Sequence, residues 1–250
     1  MSKRPKTINN QNYIDIHSHI LPGIDDGARN EKESLRMFQI AAEAGIGTVI
    51  ATPHFHYKKG RVSPQDIYNT ILKMQELLEE NKIPIKICPG NELYYSHGLL
   101  DAVKAGEALT MAGSEYVLLE FSPGSEKRKI QNAIYQFLCE GYNPIIAHAE
   151  RYQAFQYQFD FIEEIEKMGA YYQINGSSLN GAAGWKIRKF SRNLMKKDFI
   201  TFIATDAHDV DKRAPHFGKM TDWIVKKEGE SQLKVYLKEN PEKIIKNEII

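Results

Sequence analysis

The chain of 250 residues has little cysteine, no long apolar run and no excess of charge of either sign. Two cysteines, Cys88 and Cys139, are too few for a disulfide framework. No segment approaches the ~18 apolar residues of a membrane helix, and the basic segment 1–12 lacks the apolar stretch of a secretion signal. We therefore expect a cytoplasmic protein without direct membrane insertion, whose N-terminal tail, residues 1–12, is disordered.

The charge balance argues against a nucleic-acid partner. Thirty-three Lys and Arg face 32 Asp and Glu, which leaves a net charge of +1, so no global positive field attracts a polyanion. A hydrophobic content of 42% and a charged content of 26% are ordinary for a globular protein. Because no repeat or low-complexity linker interrupts the chain, we expect a single domain over residues 13–250.

Several common catalytic signatures are also missing. The sequence contains no G-x-x-x-x-G-K-[ST] loop, no G-x-S-x-G elbow and no H-E-x-x-H helix. A cysteine-dependent tyrosine phosphatase needs an arginine six residues after its cysteine, but those positions hold Tyr94 and Ile145. These absences exclude the corresponding NTPase, serine-hydrolase, zincin and thiolate mechanisms.

The chain alternates between two kinds of segment. Short stretches rich in β-branched and aromatic residues predict seven buried strands, at 13–16, 48–51, 85–88, 116–119, 144–147, 171–174 and 201–204. Helical periodicity predicts helices between and after these strands, at 31–44, 65–81, 129–140, 160–167, 186–197, 215–227 and 232–238. Residues 94–114 predict short or broken helix. This alternation favours an α/β protein, either a parallel barrel or a doubly wound sheet.

Candidate metal ligands follow five of the seven predicted strands. They are His17 and His19, His54, Glu92, His148, and Asp206 and His208, and the turn GIDDG adds Asp26. Residues i and i+2 of a strand share a face, so each paired set can reach one ion. Imidazoles and carboxylates without thiolate favour Mn, Fe, Co or Zn in an oxygen-rich site. The sequence therefore predicts a multinuclear metal site, while the other three histidines, His56, His97 and His216, lack this placement.

These motifs resemble a known group of proteins. IDIHSH followed by ILPGIDDG is similar to the opening motif of the PHP (polymerase and histidinol phosphatase) superfamily, and more closely to bacterial manganese-dependent protein-tyrosine phosphatases of the CpsB/YwqE type. ATPHFH, PGNELYY, IAHAERY and ATDAHDVDKRAP resemble the later motifs of that group in the same order. The similarity extends from about Tyr13 to Ile245.

The resemblance implies a distorted (β/α)7 TIM-like barrel, the PHP fold, with two to three divalent ions, Mn first among them. It implies that His17, His19, Glu92 and Asp206 hold one ion, with Glu92 bridging to a second, and that His54, His148, Asp26 and His208 complete the others. It also implies that Arg151 and Arg213 bind the substrate phosphate. Asp26 stands where many histidinol-phosphate and polymerase-linked members are expected to have histidine, which favours the tyrosine phosphatase group.

The expected activity is hydrolysis of phosphotyrosine by metal-activated hydroxide, without a covalent phosphoenzyme. The resemblance implies a tyrosine autokinase of capsule or exopolysaccharide synthesis as the substrate protein. Because a tyrosyl leaving group has a pKa of ~10, it needs little help from a general acid, and we assign none. Three alternatives stay open: a small-molecule phosphatase acting on compounds like histidinol phosphate, a PHP phosphoesterase acting on nucleic acid, and a catalytically inactive PHP barrel that only binds a partner.

Overall fold

The computed structural model describes residues 11–57 and 62–250. Residues 1–10 of the tail expected to be disordered lie outside the described residues. In the described ranges, no helix is long and apolar enough to cross a membrane.

Nine parallel strands form the central layer of the described chain. They are β1 (Tyr13–Ser18), β2 (Ile46–Ala51), β3 (His54–His56), β4 (Lys86–Pro89), β5 (Glu92–Tyr94), β6 (Tyr116–Glu120), β7 (Asn143–Ile146), β8 (Tyr171–Asn175) and β9 (Phe202–Ala204). β3 and β5 continue β2 and β4 after breaks of two residues, at 52–53 and 90–91. All seven predicted strands are confirmed, and the two short continuations were not predicted.

The strands close into a distorted barrel. Hydrogen bonds give the orders β1-β2-β4 and β3-β5-β6-β7-β8-β9, and the paired strands are parallel. β1 meets the segment after β9, where His19 N donates to Ala207 O at 2.8 Å and Asp206 N donates to His17 O at 2.8 Å. The predicted (β/α)7 TIM-like barrel is therefore confirmed, and the doubly wound alternative is wrong.

Helices surround the barrel. They are α1 (Glu31–Glu43), α2 (Pro64–Glu80), α3 (Leu99–Lys104), α4 (Lys127–Cys139), α5 (Phe159–Met168), α6 (Gly176–Asn180), α7 (Trp185–Lys196), α8 (Met220–Glu228), α9 (Glu230–Lys234) and α10 (Asn240–Lys246), with a π-helical turn at Val235–Glu239. The five central helices predicted from periodicity are confirmed within about two residues. The predicted helix 215–227 begins only at Met220, because Gly218 has a left-handed φ of 56° that a helix cannot continue through.

Two apolar layers fill the molecule. Alternate strand residues such as Tyr116 and Leu118 belong to the cluster inside the barrel, whereas Val117 and Leu119 pack between the strands and the helices. Ile244 of α10 joins the inner cluster. Because the interior is packed with side chains, the open space for chemistry lies at the ends of the strands, and in barrels the carboxyl ends carry it.

Candidate metal centre

Glu92, the first residue of β5, lies at the centre of the predicted ligands. Its side chain is 1% exposed. Its Oε1 lies 2.8 Å from His148 Nε2 and 3.4 Å from His17 Nε2, and its Oε2 lies 2.9 Å from His54 Nδ1 and 3.3 Å from His19 Nε2. Four imidazoles from three different strand ends therefore converge on one carboxylate.

The remaining predicted ligands border this centre. Asp26 Oδ1 lies 3.4 Å from His54 Nε2 and 3.5 Å from His208 Nε2. Asp206 Oδ1 lies 3.6 Å from His17 Nε2 and 3.7 Å from His19 Nε2. All eight residues singled out in the sequence thus lie around one mouth of the barrel.

Three compact sets of donor atoms arise from this convergence. The atoms of each set lie within 4.8 Å of one another, and the sets are His19, Asp26, His54 and His208; His17, His19 and Glu92; and His54, Glu92 and Glu120. His148 and Asp206 contact members of these sets without belonging to one. Glu92 belongs to two of the sets, and its two carboxylate oxygens could serve neighbouring ions, whereas each neutral imidazole could serve only one.

Glu120 was missed in the sequence although it follows the same rule as the predicted ligands. It is the last residue of β6, and its carboxylate oxygens lie 3.7 Å from His148 Nε2 and 3.8 Å from His54 Nδ1. Burial, followed by repulsion from Glu92, raises the pKa of Glu120. The fourth predicted strand, extended by one residue, ends in this carboxylate, and that position was the available signal.

Asp25, the other carboxylate of the GIDDG turn, was not predicted as a site residue, because the sequence does not distinguish it from Asp26. Asp25 Oδ2 lies 2.6 Å from His19 Nδ1 and accepts from His54 N at 3.1 Å, while its Oδ1 accepts from Gly27 N at 3.0 Å. Although burial opposes ionisation, these bonds lower the pKa of Asp25 to about 2. Asp25 therefore holds the Nδ1 side of His19 and leaves Nε2 directed at the centre.

Gln173 plays the same part for a second imidazole. Its Oε1 lies 3.1 Å from His17 Nδ1 and accepts the backbone N–H of His148 at 2.8 Å. An amide oxygen can only accept, so the proton of a neutral His17 lies on Nδ1 and the lone pair of Nε2 points at Glu92. This tautomer is the one that a metal ligand needs.

The donor chemistry fits bound cations better than it fits hydrogen bonding alone. Among the described residues, the buried His54 Nδ1 has no hydrogen-bond partner, although Glu92 Oε2 is only 2.9 Å away. The two atoms face each other without the alignment that a shared proton requires. Buried carboxylates and imidazoles are costly unless they are compensated, and an ion between such lone pairs would compensate both.

The histidines differ in their readiness to bind a cation. Burial disfavours the charged form of His19, but its bonds to Asp25 and Glu92 outweigh this and raise its pKa to about 10. Burial, together with repulsion from His19, lowers the pKa of His208 to about 4. At neutral pH His208 offers a free lone pair, whereas His19 must first release a proton.

Two arginines meet at the edge of the centre. Arg151 Nη2 donates to Asp206 Oδ2 at 3.0 Å, and Arg213 Nη2 donates to Asp206 Oδ1 at 2.8 Å. Asn175 Nδ2 donates to the same Oδ2 at 2.7 Å. Burial opposes ionisation of Asp206, yet His17 holds its pKa well below the usual range. A cavity of about 620 Å³ opens here and is lined by both arginines.

The three remaining histidines are His56, His97 and His216. The His56 ring lies 4.9 Å from the Tyr94 ring, His216 lines the cavity beside Arg213, and His97 is exposed. None of the three belongs to a compact donor set in the described chain.

The chain is therefore a β/α barrel whose candidate metal donors lie at the carboxyl ends of the strands, as in metal-dependent barrel hydrolases. The family model described as capsular polysaccharide synthesis, CpsB/CapC, matches residues 13–246. The chain belongs to this CpsB/CapC family.

Curated relatives and a solved structure agree with that assignment. The tyrosine-protein phosphatase CpsB of Streptococcus pneumoniae is 31% identical over 242 residues, covering 95% of this chain and 100% of the relative. The tyrosine-protein phosphatase YwqE of Bacillus subtilis (strain 168) is 32% identical over 237 residues, covering 95% and 93%. A crystal structure from a study of YwqE and CpsB, described as unique metal-dependent tyrosine phosphatases, matches with a TM-score of 0.88 and 31% identity over 95% of this chain and 96% of its own.

Proposed function

We propose that this protein is a metal-dependent protein-tyrosine phosphatase. One observation carries the proposal: Asp206 joins the cluster of metal donors to two arginines, one on each of its carboxylate oxygens. A phosphate held by Arg151 and Arg213 would therefore lie against the metal centre. The names of the relatives support the same activity.

The proposed ligands are the eight residues predicted from the sequence, with Glu120 added: His17, His19, Asp26, His54, Glu92, Glu120, His148, Asp206 and His208. Two to three divalent ions fit the three donor sets, and Mn fits a set of imidazoles and carboxylates without thiolate. Bound ions would supply Lewis acidity and a water that ionises near neutral pH.

Arg151 and Arg213 would bind and orient the phosphate. Each arginine uses its Nη2 to bind Asp206, and the two side chains remain 38% and 40% exposed. Further N–H donors of each planar guanidinium can therefore reach phosphate oxygens. Because Asp206 fixes both side chains before the substrate arrives, little conformational entropy is lost on binding. The tyrosyl oxygen, with a pKa of ~10, can leave without an assigned acid.

The setting of the reaction is part of the proposal. A tyrosine autokinase of capsule or exopolysaccharide synthesis is the proposed substrate protein, in keeping with the family's link to capsular polysaccharide synthesis. Cys88 and Cys139 are both free thiols, which fits a reducing compartment such as the cytoplasm. We propose one phosphatase domain over residues 13–250.

The test compares substrates and arginine variants in the Mn-loaded protein. We expect a phosphotyrosine peptide to be hydrolysed faster than histidinol phosphate or single-stranded DNA. Arg151→Ala and Arg213→Ala should each lower kcat/KM by about 100-fold, the loss typical of one transition-state donor, with bound metal unchanged. Arg128→Ala, an exposed arginine of α4, is the control.

The other outcomes separate the alternatives. Fastest turnover of histidinol phosphate would identify a small-molecule phosphatase, and fastest cleavage of DNA a nucleic-acid phosphoesterase. Full metal loading with no turnover of any substrate would identify a binding module. Equal loss of metal in the arginine variants would show that the arginines are structural.

A further inference from the structure

A basic surface lies beside the mouth of the barrel, although the chain as a whole is nearly neutral. Residues 176–197 contain six Lys or Arg and no Asp or Glu, against a net charge of +1 for all 250 residues. Within α7, one face carries Trp185, Arg188, Lys189, Arg192 and Lys196, whose spacing of three, four or seven residues places them in one stripe. This charge is concentrated rather than dispersed.

The stripe faces α8 across a groove of about 660 Å³. The five stripe residues line it together with Asn193, Trp223, Lys227 and Glu228. Five of the lining side chains are cations and one is an acid. Because Tyr236 Oη lies 3.3 Å from Glu228 Oε2, the single carboxylate is already engaged.

The five cations that line the groove are Arg188, Lys189, Arg192, Lys196 and Lys227. Across residues 11–57 and 62–250, no ion pair involves any of the five. Arg192 donates to Leu179 O at 3.3 Å, its guanidinium lies 4.3 Å from the centre of the Trp223 ring, and its buried Nε has no partner within those same ranges. Elsewhere on the surface, Lys104 and Lys234 pair with glutamates at 2.6 and 3.0 Å. The groove thus keeps a positive charge that no carboxylate neutralises through an ion pair within the described residues.

The groove and the cavity beside the two arginines are lined by neighbouring segments of the chain. Ala182 and Ala183 line the cavity that contains Arg151 and Arg213, and Trp185, two residues further on, lines the groove. A substrate segment that leaves the cavity past these alanines would next meet Trp185 at the start of α7. At 1.5 Å per residue, the 12 residues of α7 span ~18 Å, which matches about five residues of extended peptide.

We propose that this groove binds an acidic peptide segment that flanks the phosphotyrosine of the substrate protein. This inference rests on the proposed function. Charge complementarity supplies selectivity, and Trp185, which is 70% exposed, offers an aromatic surface to the peptide. A peptide fits better than an anionic membrane, because the cations lie in a concave groove and Arg192 already covers the Trp223 ring.

The test is Lys189→Glu combined with Lys196→Glu. Both side chains are exposed on one face of α7 and line the groove. For a phosphotyrosine peptide with acidic flanks, kcat/KM should fall about tenfold relative to the unaltered protein, because two attractive contacts with the peptide become repulsive. For p-nitrophenyl phosphate and for a peptide with neutral flanks it should stay unchanged. The preference for acidic flanks should also weaken with added salt.

The matched control carries the same change of charge elsewhere. Arg36→Glu combined with Lys86→Glu alters one exposed residue of α1 and one at the start of β4. It should retain the acidic-peptide rate. An equal fall of kcat/KM in this control would attribute the effect to overall charge. An equal fall of kcat/KM on p-nitrophenyl phosphate in Lys189→Glu/Lys196→Glu would attribute it to damaged structure. Either result overturns the proposal, as does an unchanged kcat/KM of that variant on the acidic peptide.

A binding measurement separates this inference from the proposed function. A fluorescently labelled acidic peptide without phosphate should bind the unaltered protein and the control, but bind Lys189→Glu/Lys196→Glu about tenfold more weakly. If the unaltered protein binds this peptide but hydrolyses no phosphate ester, the proposed function is refuted and the proposed role of the groove in peptide binding is retained. Binding to phosphatidylglycerol vesicles that depends on the two lysines, without binding of the peptide, would refute the peptide in favour of a membrane.

Discussion

Replacing Glu92 by glutamine tests the proposed centre most directly. The substitution keeps the shape of the side chain but removes the charge that four imidazoles surround at 2.8 to 3.4 Å. Because changes in groups that merely support a metal ligand weaken metal binding about 10- to 100-fold, loss of the carboxylate at the centre of the proposed ligands should weaken it by more than about 100-fold. We expect at least one equivalent of bound metal to be lost, together with nearly all activity.

The metal-free protein should also be destabilised. Breaking a buried charge pair by altering one partner costs about 3–5 kcal/mol, and a chain of this size loses roughly 2–4 °C in Tm per kcal/mol, so a fall of about 6–20 °C follows. Burial opposes ionisation of Glu92, but His17 and His148 hold its pKa well below 4.5. Its contribution is therefore present above the unfolded pKa, and it is lost as the pH falls through the lower folded value. The difference in Tm between the two proteins should shrink at acid pH.

The assay combines metal content, measured by mass spectrometry after dialysis, with thermal unfolding followed by circular dichroism. Glu120→Gln is the matched control. That carboxylate is 20% exposed and contacts its histidines only at 3.7 and 3.8 Å, so its metal-free Tm should change by less than half as much. Full metal content and an unchanged Tm in Glu92→Gln would refute the central role of this residue.

Three further predictions concern the surroundings of the centre. Gly27→Ala should lower the free energy of unfolding by about 1–3 kcal/mol and weaken metal binding, because the new Cβ would lie 1.9 Å from His19 O and 2.6 Å from His19 Cβ. Gly124→Ala is the control, since its new Cβ would have nothing within 4 Å. Equal unfolding free energies of the two variants by calorimetry would contradict this prediction. Metal binding to the metal-free protein at pH 7 should release a proton from His19, whose pKa is raised to about 10. Isothermal titration calorimetry in buffers of different ionisation enthalpy measures this proton. A binding enthalpy that is the same in all buffers would contradict the prediction. The exposed Cys139 should react with Ellman's reagent in the folded protein, while the buried Cys88, whose pKa burial raises, should react only after unfolding; two fast thiols would show that the inner core is open.

The strand pattern could be predicted because it depends on local composition. Segments such as 144–147 are apolar on both faces, and buried parallel strands require this. The short strands β3 and β5 could not be predicted in the same way, because each has three residues and begins with a polar residue, His54 or Glu92. Their extended conformation comes from pairing with each other and with β6, which is a tertiary effect.

The position of the site could be predicted for a related reason. Parallel strands place their carboxyl ends on one side, so any ligand that follows a strand comes to the same mouth. Which residues support those ligands could not be read from the chain. Gln173 lies inside a predicted strand with nothing to distinguish it, and Asp25 is as plausible a ligand as Asp26 in sequence. Only the distances, 3.1 Å to His17 Nδ1 and 2.6 Å to His19 Nδ1, assign Gln173 and Asp25 their roles.

The backbone at two of the proposed ligands is the hardest feature to predict, because it departs from the conformations that local preferences favour. His148 and Asp206 have φ values of 32° and 52°, a left-handed conformation that costs non-glycine residues about 1–3 kcal/mol. Contacts from distant segments offset this cost: Gln173 Oε1 accepts from His148 N at 2.8 Å, and His17 O accepts from Asp206 N at 2.8 Å. The register between β1 and β2 also shifts by one residue between Asp15 and Ser18, and such irregularities re-aim side chains next to active sites. The backbone strain therefore lies at two of the proposed ligands, and the neighbouring strands that bring these residues together also hold them in the strained conformation.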